Sequence, residues 1–274
     1  MKLGVKELKK SGTYTEEKIP KLRKILIENV ERGLYYTQMD GLVEIDVTKA
    51  LALLKKHEKK TGEKLSFTGW IVKCVSQAVS ENKKAHAKKK GQKLIIFDDI
   101  DISVMVEKTV EGDKIMPLIF VIRKTNEKGF REIHDEIRAA QVISEEDYEN
   151  IDSNKNAILL NKLPKFLRRI FFWKRFEKNP FFRKKYAGTI LVTSIGTAGK
   201  RISGWAIHPT SHSPVFTIGS IKEKPCVVNK KIVIREFLFL SLMIDHSVID
   251  GAPAVRFVGR LIEIIESAYG LDDL

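Results

Sequence analysis

The stretch that most constrains this chain lies near its C-terminus. Phe237-Leu238-Phe239-Leu240-Ser241-Leu242-Met243-Ile244 is apolar apart from one serine. It is far too short to span a bilayer and suits a buried strand. It runs into Asp245-His246-Ser247-Val248-Ile249-Asp250-Gly251-Ala252. Beyond that, Ala254, Phe257, Val258, Leu261, Ile262, Ile264 and Ile265 recur at helical spacing. A strand therefore delivers a histidine to a turn, and the turn opens a helix.

Histidine is the usual general base near neutral pH, since its unperturbed pKa is about 6.5. No side-chain nucleophile stands in a recognised frame here. There is no Gly-x-Ser-x-Gly elbow, and no motif surrounds Cys74 or Cys226. A base without a protein nucleophile implies that the substrate brings its own hydroxyl or thiol. The oxyanion that follows needs a hydrogen-bond donor, and hydroxyls at the end of the strand 189–194 are candidates. The commoner alternative is that such a histidine only packs, and that Asp250-Gly251 is only a turn dipeptide.

The remaining chain reads as one large domain, which 274 residues at 43% hydrophobic content support. Residues 1–18 read as a loose N-terminal segment. Two distant cysteines give neither a disulfide framework nor a metal cluster, which points to a reducing compartment. The charged N-terminus has no apolar signal segment, so a cytoplasmic location is expected. Helices are expected over 19–31 (Leu22, Ile25, Leu26 and Val30 inward), from Thr48 to Gly62, from Ser66 onward, and over 129–140. Short helices are expected over 147–160. Strands are expected over 42–47, 94–97, 100–107, 114–122 (an edge, given Pro117), 188–196, 215–218, 226–228 and 231–244. The last but three of these runs into a glycine-rich loop. Helices and strands mix without a regular βαβ rhythm, so the expected class is α+β, a mixed-sheet α/β sandwich.

The turn sequence resembles the active-site signature of the catalytic domain of dihydrolipoyl acyltransferases, the cores of 2-oxoacid dehydrogenase complexes. Chloramphenicol acetyltransferases share its His-x-x-x-Asp-Gly part. The resemblance extends to Leu22-Arg23-Lys24-Ile25, Leu42-Val43-Glu44-Ile45-Asp46-Val47-Thr48, Lys64-Leu65-Ser66-Phe67-Thr68-Gly69-Trp70-Ile71-Val72-Lys73, Phe130-Arg131-Glu132-Ile133 and the glycine-bounded strand 188–196. It covers roughly 19–270, within a catalytic domain taken as 19–274. It implies a chloramphenicol-acetyltransferase-like trimer with active sites at subunit interfaces, and coenzyme A as a substrate. His246 would be the base, and Asp250 would hold the turn. The family's oxyanion-stabilising serine falls at Thr193, with Ser194 beside it. Arg23 is the candidate ion-pair partner of the Asp250 turn. No metal is implied. The alternative is a catalytically silent homologue that serves as an assembly or membrane-surface scaffold.

Three departures qualify the resemblance. No lipoyl domain or Ala/Pro-rich linker precedes the catalytic region, so a lipoyl group is expected from another chain, or the acceptor differs. Ser247 stands where lipoyl-dependent members carry arginine. A basic insertion occupies about 161–187. Between Asn161 and Tyr186 it holds ten basic residues and one acid, a large share of the chain's net +14. With Leu163, Leu167, Ile170 and Phe171 on one helical face, it would pack on its own subunit, lie on an anionic membrane, meet an acidic acyl or lipoyl carrier, or steer coenzyme A. Nucleic acid is not expected, for want of a recognised motif. Homotrimers, and a larger cage built from them, are the expected assemblies.

Overall fold

The computed structural model describes residues 15–16, 19, 21–110, 114–142, 163–195 and 203–272. Most of the N-terminal segment 1–18, the short helices expected over 147–160 and the loop from Gly196 lie outside these residues, as do the side chains of Leu22 and Ile25. In chain order the main elements are α1 (Lys21–Gly33), β1 (Gln38–Asp46), α2 (Thr48–Thr61), α3 (Phe67–Glu81), β2 (Lys88–Lys90), β3 (Lys93–Ile95), β4 (Ile102–Val110), β5 (Lys114–Ile122) and α4 (Phe130–Val142). The insertion helix α5 follows as three joined pieces, Lys165–Arg168, Arg169–Trp173 and Lys174–Lys178, then α6 (Pro180–Ala187), β6 (Ile190–Ser194), β7 (Val215–Val228), β8 (Lys231–Asp245) and α7 (Gly251–Glu266).

Six strands form one mixed sheet in the order β1-β8-β7-β6-β4-β5. The pairs are antiparallel except that β6 runs parallel to both β4 and β7. The expected mixed-sheet class is therefore observed. Strand β5 is an edge, where the missing N–H of Pro117 is tolerated. The separate strands expected at 215–218 and 226–228 are one strand, irregular in register between Ile218 and Ile221. Gly219 sits in that irregularity because a Cβ there would lie 2.6 Å from Phe239 O.

One face of the sheet carries the main core. Leu238, Leu240, Leu242 and Ile244 alternate along β8 toward α3, α4 and α7, and meet Trp70, Ile71, Val75, Ile133, Phe257 and Leu261. Helix α3 is buried on most sides, as its weak polar face predicts, and Ser66 caps it by accepting from Gly69 N at 3.1 Å. Helix α2 ends on Gly62, whose φ of 76° needs no Cβ. Burial pushes the Cys74 thiol up, away from reactivity. The other face of the sheet is covered by 203–214: Trp205 stacks edge-on against Phe239, and Ser241 Oγ donates to Ala206 O.

The insertion packs on its own chain, but not through the expected face. Phe166, Ile170 and Phe171 are exposed, while Arg168, Trp173 and Phe176 are buried. The cause is Glu28 of α1. Its carboxylate accepts from Arg168 Nε at 3.1 Å and from Trp173 Nε1 at 2.7 Å. Two groups five residues apart must face one acid, and the helix accommodates this by widening to π geometry over Arg169–Trp173. Burial raises the Glu28 pKa, but these donors outweigh it and hold the carboxyl below the ordinary range. For the same reason α1 turns Glu28 inward and leaves Val30 exposed, against the simple apolar pattern.

Candidate active site

β8 carries His246 just past the end of the sheet, and backbone contacts fix the turn. His246 N donates to Thr37 O at 2.8 Å. Asp245 Oδ1 accepts from Ser247 N at 2.9 Å and from Thr37 Oγ1 at 3.1 Å. Val248 N and Ile249 N donate back to Asp245 O at 3.0 and 3.3 Å. Asp245 N in turn donates to Ser213 Oγ at 2.8 Å. The imidazole itself is displayed rather than packed: its side chain is 53% exposed.

Asp250 caps α7 with its backbone only, and its side chain is 89% exposed. Its Oδ1 lies 3.9 Å from His246 Nδ1, too far for a hydrogen bond. The hydrogen bonds that hold the turn run through Asp245 and Thr37, which the sequence reading passed over. The signal for Asp245 was present, since an aspartate that accepts from the N–H two residues on is a common turn device. Among the described residues Asp250 makes no ion pair with Arg23; the ionisable group within 4 Å of its carboxylate is His246.

Thr193 lies on β6, two strands across from β8 and level with Ser241. It sits opposite Thr217, and Thr217 sits opposite Ser241. These three buried residues carry a row of hydroxyls across three strands, on the face covered by 203–214. The Thr193 hydroxyl donates to Met105 Sδ at 3.9 Å. Ser194, the next residue, points to the opposite face and is partly exposed. From Ser241 the chain runs five residues to His246, roughly 17 Å of extended strand. Within one chain, therefore, His246 does not meet Thr193 or Ser194.

Behind the His246 turn lies a buried layer of basic side chains. Lys88 Nζ donates to Thr189 O at 2.8 Å and to Ser213 O. Arg183, on α6, donates to Ser211 O and stacks over Tyr36 at 5.3 Å. Burial, reinforced by Lys88, lowers the pKa of His86 to about 4; burial, then Arg183 and Lys88, lowers that of His212 to about 3. The insertion thus reaches the histidine's support. A groove of about 700 Å³ between α1 and α5 is lined by Arg32, Tyr35, Tyr36, Arg169 and Trp173 among others. No group of three or more metal-ligating side chains occurs among the described residues, and no helix there is long and apolar enough to cross a membrane.

The sheet, its flanking helices and the turn define the fold of dihydrolipoamide acyltransferase catalytic cores. The cubic core of the pyruvate dehydrogenase multienzyme complex superposes with a TM-score of 0.70 at 20% identity, over 97% of this chain and 96% of that one. The dihydrolipoamide acetyltransferase of Azotobacter vinelandii, studied for the roles of a serine, a histidine and an asparagine in its catalytic mechanism, gives 0.68 at 20% identity over the same shares. The chain belongs to the 2-oxoacid dehydrogenases acyltransferase (catalytic domain) family, which matches residues 11–150 and 184–271. The interval between the two matched blocks contains α5. Among curated relatives, the lipoamide acyltransferase component of the branched-chain alpha-keto acid dehydrogenase complex of Bacillus subtilis is 26% identical over 254 residues, covering 90% of this chain. The chain spans about half that relative's length, 51%.

Proposed function

We propose that the protein moves an acyl group between coenzyme A and a thiol acceptor of the dihydrolipoyl kind, or a hydroxyl. The observation that carries this reading is the open imidazole of His246, which makes no hydrogen bond among the described residues, on a hydrogen-bonded turn in a chain of this family. His246 takes the proton from the attacking thiol. The thiolate adds to the thioester carbonyl and makes a tetrahedral oxyanion. Collapse expels the coenzyme A thiolate, which recovers the proton from the imidazolium, so charge and protons balance.

The oxyanion donor is the Thr193 hydroxyl of a second copy of the chain, because register holds Thr193 of the same chain level with Ser241, two strands across and five residues short of His246. A site completed between copies fits a homotrimer, and the likeness to a cubic core supports trimers building into a cage. Asp250 supplies negative charge beside His246 Nδ1. The lipoyl group would come from another domain or chain, or from an acyl carrier protein. The solvent-open histidine argues against the silent-scaffold alternative.

The test is a screen of acyl-coenzyme A donors against dihydrolipoamide and small thiols, alcohols and amines. His246→Ala should abolish transfer, a loss of about 10²–10⁴-fold. Since its side chain is largely exposed, the thermal midpoint should not move. Unchanged turnover in that variant would refute the proposed base.

A further inference from the structure

We propose that the outer face of α5 docks the protein on an anionic phospholipid surface. This goes beyond the catalytic reading and does not depend on it. The buried contacts of Glu28 with Arg168 and Trp173 decide which residues α5 turns outward. Phe166, Ile170, Lys174 and Lys178 follow one another at four-residue spacing along that outer side, and all four are exposed. Phe166 is 62% exposed, Ile170 54% and Phe171 64%. Exposed Arg169 and Arg175 flank this stripe. One long side of the helix is therefore apolar at its N-terminal half and cationic at its C-terminal half.

Three large apolar side chains in water on one helix are costly, and something of matching chemistry must reward their exposure. The partner has to accept hydrocarbon and cations within the same few ångströms. A bilayer interface does both, with acyl chains under anionic headgroups. Charge selects among the other occupants. Arg169, Lys174 and Lys178 make no ion pair among the described residues, while Lys165 pairs with Glu31 and Lys184 with Asp101. Two copies meeting through this face would bring the unpaired cations together, which opposes self-association. Phe181, 55% exposed on the neighbouring α6 with Lys90 over its ring at 5.3 Å, repeats the same pairing of aromatic and cation.

The experiment is co-sedimentation of the full chain with vesicles of phosphatidylglycerol and phosphatidylcholine, against phosphatidylcholine alone. Binding should appear only with the anionic lipid and weaken as salt rises. Lys174→Ala with Lys178→Ala should weaken it about tenfold or more, at about fivefold per charge. Phe166→Ser, Ile170→Ser and Phe171→Ser together should also weaken it at least about tenfold. Acyl transfer and the thermal midpoint of these variants should stay near wild type, which separates lost docking from lost folding. No binding to anionic vesicles would overturn the proposal. So would binding indifferent to the apolar triple variant, since that is charge attraction without insertion. A change of oligomeric state in the variants, with no vesicle binding by the wild type, would assign the face to a contact between copies and overturn it equally.

Discussion

At the scale of single residues, the proposed chemistry rests on one imidazole, His246, and one hydroxyl, Thr193. Thr193 and Ser194 are adjacent but face opposite sides of the sheet, so only one can serve a given site. Thr193→Val removes the donor and should cost about 10²–10³-fold in turnover, whereas Thr193→Ser should restore most of it. Equal rates for the two variants would remove Thr193 from the mechanism. The buried histidines make a separate statement about pH. His86 and His212 titrate at about 4 and about 3 in the folded chain, against about 6.5 when unfolded. The unfolded chain therefore binds more protons between these values. Their contribution to stability is complete above about pH 6.5 and is lost as pH falls toward 4. A thermal midpoint that declines over this interval, and declines less in His86→Asn, is the expected profile.

At the scale of elements, α5 shows how one buried acid can override an apolar pattern. The side chains of Glu28 and Arg168 are only 6% and 8% exposed, so removing one partner strands the other's charge. Glu28→Ala should destabilise by about 3–5 kcal/mol or release α5 from α1, seen as a shift in Trp173 fluorescence. The carboxyl is held low in the fold, so this pair contributes fully above the unfolded carboxylate range and weakens on acidification through it. Elements with a single dominant signal were legible beforehand. The capping serine of α3, the glycine ending α2, the edge proline of β5 and the apolar spacing of α7 each had a local cause. The face of α5 was not legible, because its determinant lies 140 residues earlier in the chain.

At the scale of the whole molecule, the separation of His246 and Thr193 makes a sharp prediction. If each site joins His246 of one copy to Thr193 of the next, two dead variants can complement each other. Co-expressed in equal amounts, His246→Ala and Thr193→Val should yield about one quarter of wild-type activity. That is the share of interfaces at which both intact residues meet. A site contained within one chain would give no recovery. Activity should also fall on dilution to monomer, with the fold largely retained.

The local chemistry of the turn was written in the sequence: a strand, a histidine, an aspartate and glycine at fixed offsets, then a helix. The mixed-sheet class and the resemblance to the acyltransferase family followed from patterns of the same short range. Only the tertiary structure decided that Asp245 and Thr37, rather than Asp250, bond the turn. It alone showed Thr193 held two strands across and five residues of register away from His246, and α5 turning Phe166, Ile170 and Phe171 outward. The physical reason is common to all three. Strand register, long-range hydrogen bonds and a buried ion pair link residues far apart in the chain. Periodicity and spacing report only what neighbours along the chain require of one another.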